Sequence, residues 1–215
     1  MKNILFLGNS FTYFNDLPAM LKNLCITDGI EVFTDSVTRG GAYLHQFTDP
    51  ADEISAQLAE KIGERKWDIV ILQDQSSNPA RNPNDTVSAS EKIAAPFPED
   101  TEFLLYQTWS YRDNTDVLRS VNMTYPEMRR KLREGYREAA DAVNGRPIPV
   151  GDAFALASHE GIDVYCPDDY HPNERGTYIA ACVFIRYIFG KIPTSAPEGM
   201  DSVTAGIAKN CAASV

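Results

Sequence analysis

Five apolar stretches of strand length recur along the chain, and a stretch with helical spacing follows each of them. The predicted strands cover residues 4–8, 31–37, 68–73, 102–108 and 147–152. The predicted helices cover 16–28, 51–65, 125–144, 173–189 and 199–210. Near-continuous apolar strands that alternate with helices predict an α/β fold, in which a parallel sheet is covered by helices on both faces through right-handed crossovers.

The remaining long segment, residues 77–100, is rich in Pro, Asn and Ser and is predicted to be a loop with a short helix. No internal repeat, low-complexity tract or interdomain linker interrupts the pattern. A length of 215 residues suits one domain that spans 1–215 and is large enough to bury a core and a pocket.

The ends of the predicted strands carry the polar residues that matter for function. In an open parallel sheet, ligands bind outside the carboxyl ends of the strands. The groups that follow the first four strands are Asn9-Ser10, Gly40-Gly41, Gln73-Asp74-Gln75-Ser76 and Trp109. A later loop, after the fifth strand, contains Asp168-Asp169-Tyr170-His171. We therefore expect these groups to meet at one edge of the sheet.

The charge of the chain excludes several classes of partner. Thirty Asp and Glu against twenty Lys and Arg leave a net charge of −10, the wrong sign for nucleic acid or an anionic membrane surface. No apolar run is long enough to span a membrane, and the first strand pattern begins at Asn3, which leaves no room for a signal peptide. We expect a soluble chain, cytoplasmic by default, although a secreted protein whose leader has been removed would have the same pattern. The oligomeric state is not predicted.

The cysteines give no indication of a metal site or a redox motif. Cys25, Cys166, Cys182 and Cys211 show no C-x-x-C spacing, and buried free thiols are the expected state. We expect neither a metal nor another cofactor.

The most specific functional hypothesis is that Ser10 is a catalytic nucleophile. A serine hydroxyl needs a base to remove its proton, and the base needs a third group to hold it. Of the three histidines, His45, His159 and His171, only the last stands three residues after an acid, Asp168. Within a tight turn this spacing lets the carboxylate reach Nδ1 and leaves Nε2 free to face Ser10. An ordinary surface turn before the helix at 173 is the alternative interpretation of the same spacing.

Ester chemistry also needs donors for the oxyanion. The backbone amides of Ser10 and of Gly41, or of Gly40, are candidates, and the side chain of Gln75 could add an amide. Gln73 and Trp109 are candidates for substrate binding, although a Gln can simply end a strand and an aromatic side chain at a sheet edge is more often packing.

Taken together, these blocks resemble those of the SGNH/GDSL hydrolases. The resemblance rests on Gly-Asn-Ser after the first strand, Gly-Gly after the second, the Gln block after the third and Asp-x-x-His-Pro before the last long helix, and runs from about residue 3 to 192. It implies a three-layer α/β/α sandwich with a five-stranded sheet in the order 2-1-3-4-5. It also implies a serine esterase or acylhydrolase in which Ser10 is the nucleophile, His171 the base and Asp168 the acid, with Ser10, Gly41 and Gln75 at the oxyanion.

Two departures from the family pattern affect these expectations. The first block has Gly-Asn-Ser-Phe where the family name implies Gly-Asp-Ser-Leu, and the third block has Gln75 at the position of an asparagine. Some carbohydrate-acting branches of this superfamily also have Gln in the third block, so the resemblance favours a sugar ester. The polar strand ends favour a short, acetyl-type acyl group. The expected substrate is therefore a small-molecule or saccharide ester.

Two other hypotheses remain open at the sequence level. A flavodoxin-like module that binds a phosphorylated cofactor would use Ser10, Phe11 and Thr12 before a helix, but it leaves Asp168 and His171 without a role. A metal-dependent phosphoesterase would need further histidine ligands, and only two other histidines exist.

Overall fold

A five-stranded parallel sheet forms the centre of the computed structural model, which describes residues 1–215. The strands are β1 (Lys2–Gly8), β2 (Val32–Thr38), β3 (Ile69–Leu72), β4 (Glu102–Tyr106) and β5 (Arg146–Ile148), and they lie in the order β2-β1-β3-β4-β5. All four pairings are parallel. The predicted parallel sheet and its 2-1-3-4-5 order are confirmed.

Ten α-helices surround the sheet. They are α1 (Ser10–Tyr13), α2 (Leu17–Thr27), α3 (Glu53–Glu64), α4 (Asn78–Arg81), α5 (Pro83–Ala94), α6 (Asp116–Ser120), α7 (Tyr125–Ala142), α8 (Val150–His159), α9 (Glu174–Phe189) and α10 (Ser202–Ala213). Short 3₁₀ turns cover Phe14–Asp16 and Leu44–Thr48. One group of helices packs around α9 and includes α2, α8 and α10, while α4 and α5 pack on α7. This is the three-layer α/β/α sandwich that the pattern predicts.

The burial of the strands explains the apolar runs. Ile4 to Leu7 of β1 and Ile69 to Leu72 of β3 are almost completely buried, because helices cover both faces of these central strands. β2, at the edge, is mostly half-buried and carries polar residues. Fifty-seven buried residues form one continuous hydrophobic cluster. No helix combines the length and the apolar character needed to cross a membrane.

The structure corrects two predicted segments. The predicted strand at 147–152 stops at Ile148, and helix α8 begins at Val150 after Pro149. The sequence does contain the helical spacing, since Val150, Ala153, Phe154 and Ala157 are among the buried positions of α8.

The second correction concerns residues 77–100, predicted to be mainly loop. They contain α4 and the whole of a three-turn helix, α5. The buried face of α5 consists of Thr86, Ala89, Ser90 and Ile93, which have helical spacing but are mostly small or polar. A test based on apolar residues alone therefore misses this helix.

The register of the central strands sets the position of the site. Gly8 of β1 pairs with Thr38 of β2, and Leu7 of β1 pairs with Leu72 of β3. The segments that begin at Asn9, Arg39 and Gln73 therefore leave the sheet side by side at its carboxyl edge.

Candidate active site

Ser10 is the first residue of the short helix α1, directly beyond the end of β1. Asn9 caps this helix, because its side-chain oxygen accepts a hydrogen bond from the N–H of Phe11 at 3.1 Å. The Asn9 amide group also donates to the carbonyl oxygen of Ala42 at 3.0 Å. Asn9 thus ties the serine turn to the loop after β2, and it does so with a donor that an aspartate at this position would lack.

Gln73 holds the same turn from the other side. Its side-chain oxygen accepts hydrogen bonds from the backbone N–H of Asn9 and from the hydroxyl of Thr12, both at 2.9 Å. Its amide group donates to the backbone oxygen of Asp74. Gln73 is completely buried and does not line the cavity beside Ser10. The prediction that Gln73 binds substrate is therefore wrong, because the side chain is buried and its oxygen holds the turn that carries Ser10.

His171 and Asp168 lie beside Ser10. Nε2 of His171 is 2.8 Å from Oγ of Ser10, and Nδ1 is 2.7 Å from Oδ2 of Asp168. The other carboxylate oxygen of Asp168 accepts the backbone N–H groups of Tyr170 and His171, at 3.2 and 3.0 Å. The three-residue spacing therefore forms a tight turn in which the acid holds both the backbone and the imidazole of His171.

The environment of Asp168 favours its ionised form. Partial burial raises the pKa of the Asp168 carboxyl, but hydrogen bonds from the His171 side chain and from the His171 and Tyr170 backbone outweigh it, so that the net pKa lies below its usual value. A carboxylate at this position can accept a hydrogen bond from Nδ1–H and leave Nε2 as the basic nitrogen that faces Ser10.

Aromatic rings enclose His171. The ring of Phe14 stacks on the imidazole, with centroids 4.1 Å apart and planes 3° apart, and the ring of Tyr170 lies at 4.1 Å. Two consecutive left-handed residues follow Phe14, Asn15 at φ 51° and Asp16 at φ 50°. The Asn15 amide donates to the carbonyl oxygen of Pro172 and to the hydroxyl of Thr177. Sequence reasoning missed Phe14 and Asn15; the adjacent Asn and Asp, which tolerate left-handed geometry, were the available signal.

Arg112 is a second residue that sequence reasoning missed. Its backbone N–H donates to the carbonyl oxygen of Asp169, and its guanidinium contacts Asp169 at 2.7 Å and Asp163 at 2.8 Å. The guanidinium also lies 4.9 Å from the centre of the Tyr165 ring. Arg112 therefore joins both ends of the loop that carries Asp168 and His171.

The predicted oxyanion groups border one cavity with Ser10 and His171. This cavity has a volume of about 300 Å³, and its walls include Gly40, Gly41 and Gln75. The backbone N–H groups of Ser10, Gly40 and Gly41 make no hydrogen bond to a protein acceptor. Gly41 has φ +68°, which favours glycine. Three unpaired donors thus lie around the space next to the serine hydroxyl.

Gln75 borders the cavity but is held within its own loop. Its side-chain oxygen accepts from the N–H and hydroxyl of Ser77, and its amide group donates to the hydroxyl of Ser76 at 3.1 Å. The hydroxyl of Ser76 in turn lies 2.7 Å from that of Tyr111. One N–H of the Gln75 amide group remains without a protein partner.

Trp109 is not at the cavity. Its ring is 1% exposed and is stacked between Phe11, at 4.5 Å, and Phe154, at 4.1 Å. Its indole N–H donates to the carbonyl oxygen of Tyr170. The prediction that Trp109 binds substrate is therefore wrong: the ring packs in the core and supports the loop that carries His171.

The remaining candidates for special chemistry lie outside this arrangement. All four cysteines are free thiols, and only Cys166 is partly exposed. No group of three or more His, Cys, Asp and Glu side chains is arranged to hold a metal ion.

The fold and the site together define a class of protein. A parallel α/β/α sandwich carries, at the carboxyl edge of its sheet, a serine hydroxyl linked through one histidine to one carboxylate, with unpaired backbone N–H groups beside it. This arrangement is typical of the serine hydrolases of doubly wound α/β folds.

Comparison with solved structures identifies the superfamily. The chain is similar to "a putative SGNH hydrolase" from Slackia heliotrinireducens (28% identity, 85% of this chain and 96% of the other, TM-score 0.69). It is also similar to a DUF4886 family protein from Bacteroides uniformis (20% identity, 98% and 93% of the two chains, TM-score 0.83). A third similar structure is an acetylxylan esterase from Geobacillus stearothermophilus (15% identity, 91% and 97%, TM-score 0.64). The chain belongs to the SGNH/GDSL hydrolase superfamily.

Comparison of the sequence with protein-family models gives no match, and comparison with the curated proteins gives none either. The superfamily assignment therefore rests on three-dimensional similarity and on the site.

Proposed function

We propose that this protein is a serine esterase that hydrolyses short-chain, acetyl-type carboxylic esters through an acyl-serine intermediate. The observation that carries the proposal is the continuous hydrogen-bonded chain from Ser10 through His171 to Asp168, with distances of 2.8 and 2.7 Å, beside a cavity with unpaired N–H donors. Similarity to SGNH hydrolases and to an acetylxylan esterase supports the same reaction class.

In the first half of the reaction, Nε2 of His171 removes the proton from Ser10 while Oγ attacks the ester carbonyl carbon. Asp168 stabilises the imidazolium that forms. The oxyanion accepts hydrogen bonds from the N–H groups of Ser10 and Gly41, and from the unpartnered N–H of the Gln75 amide. The carbonyl then re-forms, the bond to the alkoxy oxygen breaks, and the alcohol leaves with the proton from His171.

In the second half, water attacks the acyl-serine. His171 takes a proton from this water and returns it to Oγ of Ser10 as the tetrahedral intermediate breaks down. The carboxylic acid leaves and the free serine is restored. Every proton transfer uses His171, and no group outside this chain, the ester and water takes part.

The size of the cavity supports a short acyl group. A volume of about 300 Å³ is at the lower end of the range for ligand sites. The cavity walls combine polar groups with the aromatic residues Phe11, Tyr13, Phe14 and Tyr170, so the proposed limit on the acyl chain comes from the volume and not from the polarity of the walls.

A fluorophosphonate probe, followed by peptide mapping, tests the nucleophile. We expect labelling at Ser10 that disappears in Ser10→Ala and is sharply weaker in His171→Ala, while turnover falls by several orders of magnitude in both variants. Ser120→Ala, which changes an exposed serine in α6, is the matched control and should behave like the wild type.

A panel of p-nitrophenyl acetate, butyrate and octanoate tests the acyl group. Activity should fall as the chain lengthens, and a preference for octanoate would contradict the short-chain proposal. If Ser10 stays unlabelled in folded protein and no simple ester is cleaved, the binding-module hypothesis becomes the better account.

A further inference from the structure

A second, wider cleft lies beside the cavity of Ser10. It has a volume of about 600 Å³ and is lined by Tyr43, His45, Asn78, Arg81, Asn82, Pro83, Asn84 and Asp85. The loops after β2 and β3 border both spaces. In the loop after β2, Gly41 lines the cavity and Tyr43 lines the cleft; in the loop after β3, Ser76 lines the cavity and Asn78 lines the cleft. Two residues span at most about 7 Å, so one extended molecule can occupy both spaces.

The floor of the cleft is built by a chain of hydrogen bonds that starts in the core. The buried Asn78 donates from one amide nitrogen to the carboxylates of Asp74 and Asp85, both at 2.8 Å. Asp85 also lies 3.0 Å from Nδ1 of the exposed His45. The wholly buried Asp74 accepts further hydrogen bonds from Leu44 and Thr86. These contacts hold His45 and Asp85 in fixed positions at the rim.

The side-chain groups without a partner in the cleft are uncharged hydrogen-bond donors and acceptors, together with one cation. Nε2 of His45, the side-chain oxygen of Asn82 and the side-chain amide of Asn84 make no hydrogen bond within the protein, and the guanidinium of Arg81 has no carboxylate partner. Tyr43, partly exposed, stacks its ring against His45 at 5.3 Å.

This composition selects the chemistry of the ligand. A strongly anionic ligand would meet the carboxylate of Asp85, and an apolar one would leave the Asn and Arg side chains unpaired. A polyhydroxylated ligand suits the cleft, because each hydroxyl both donates and accepts, and the edges of a sugar ring pack against aromatic side chains.

We propose that this cleft is a saccharide subsite, which binds the sugar part of an ester whose acyl group reaches Ser10. The proposal rests on the proposed esterase function and names the substrate class, an acylated oligosaccharide. His45, Arg81, Asn82 and Asn84 bind sugar hydroxyls, and Tyr43 contacts a ring. A small ester such as p-nitrophenyl acetate occupies only the Ser10 cavity.

The test compares an acetylated xylo-oligosaccharide with p-nitrophenyl acetate. We expect His45→Ala and Arg81→Ala each to raise KM for the oligosaccharide by about 3- to 10-fold, the loss of one or two hydrogen bonds, with little change in kcat. Their kinetics on p-nitrophenyl acetate should stay within about twofold of the wild type. His159→Ala is the matched control, since His159 is an exposed histidine on α8 that lines a different cavity.

If these two variants keep the wild-type KM for the oligosaccharide, or lose the same factor in kcat/KM on both substrates, the subsite proposal is wrong. A binding measurement keeps this result separate from the esterase proposal. Ser10→Ala should bind an unacetylated xylo-oligosaccharide in a calorimetric titration, and the added change Arg81→Ala should weaken that binding. If the saccharide binds but the wild type cleaves no ester, only the esterase proposal is wrong. If the wild type cleaves p-nitrophenyl acetate but no saccharide binds, only the subsite proposal is wrong.

Discussion

At the scale of single residues, the position of His171 depends on side chains that touch no substrate in the proposed reaction. Arg112 is the clearest case, because it contacts Asp163 before the loop and Asp169 within it, and its backbone binds the carbonyl of Asp169. Asp169 has φ +68°, a left-handed conformation that its neighbours must hold in place. Arg112 is a positioning residue for the proposed base.

Arg112→Ala should lower kcat on p-nitrophenyl acetate by about 10-fold or more, because a small displacement of a catalytic group is costly. KM should change little. Arg112→Lys should recover part of the rate, since an ammonium can pair with one of the two carboxylates but cannot bridge both. Stopped assays at several pH values, with thermal unfolding as a check on folding, measure the effect.

The control for this prediction is Arg130→Ala. Arg130 forms an exposed ion pair with Glu134 one turn further along α7. Pairs of this kind contribute little, so the rate and the stability should remain close to those of the wild type. A wild-type kcat in Arg112→Ala would show that the loop holds its geometry without the guanidinium.

At the scale of helices and strands, close contact between α4 and α7 fixes the loop that carries Gln75. Gly135 lies on the buried face of α7, and a Cβ atom there would overlap the carbonyl oxygen of Pro79 in α4. α4 follows Gln75 by only two residues. The absence of one side chain in α7 therefore determines how near the loop after β3 lies to the sheet.

Two glycines within helices should respond in opposite ways to the same substitution. Gly135→Ala should lower the free energy of unfolding by about 2–3 kcal/mol, because overpacking against backbone outweighs the gain in helix propensity. Gly206→Ala in α10, where a Cβ atom would meet nothing within 4 Å, should raise it by up to about 1 kcal/mol. Urea denaturation of both variants measures the difference, and stabilisation by Gly135→Ala would contradict the packing argument.

At the scale of the whole molecule, acid should destabilise the fold. The carboxyls of seven residues have pKa values below the usual range: Asp52, Asp85, Asp100, Glu127, Asp152, Asp168 and Asp201. For Asp152, burial raises the pKa, but Arg133 and Arg129 outweigh it and the net pKa is lowered. Burial raises the pKa of the Asp74 carboxyl, so its contribution to stability changes with pH in the opposite direction.

A carboxyl with a lowered pKa in the folded state stabilises the protein above its unfolded-state pKa, near 4, and loses that contribution as the pH falls through the folded-state value. We therefore expect a free energy of unfolding that is nearly constant between about pH 5 and 7 and decreases below about pH 4. Urea denaturation at pH 7, 5, 4 and 3 gives the curve.

Asp152→Asn provides the variant for this measurement. Asp152 accepts hydrogen bonds from Arg129 at 3.0 Å and Arg133 at 3.1 Å, so we expect a loss of about 2 kcal/mol at pH 7 and a shallower decrease in acid. Asp116→Asn, at an exposed position in α6, should leave the curve unchanged. Stability that rises as the pH falls from 5 to 3 would contradict the prediction.

Features that depend on local pattern could be predicted from the order of the residues. Apolar runs identified the three central strands, β1, β3 and β4, because a strand buried on both faces needs apolar residues at nearly every position. The weaker runs at β2 and β5 were also recognised, although the run at β5 was predicted too long. The Asp-x-x-His spacing predicted a turn that Asp168 closes onto His171. The position of Ser10 just beyond β1 followed from the same pattern, since Ser10 comes only two residues after Gly8, the last residue of the strand.

Which polar and aromatic residues face the cavity depends on the packing of the folded chain. Gln73 and Gln75 differ by two positions, yet one is buried under the serine turn and the other borders the cavity. Trp109 lies in the core because Phe11 and Phe154, far apart in sequence, stack on both of its faces. Contacts between residues distant along the chain set these positions, and no local pattern of hydrophobic and polar residues encodes them.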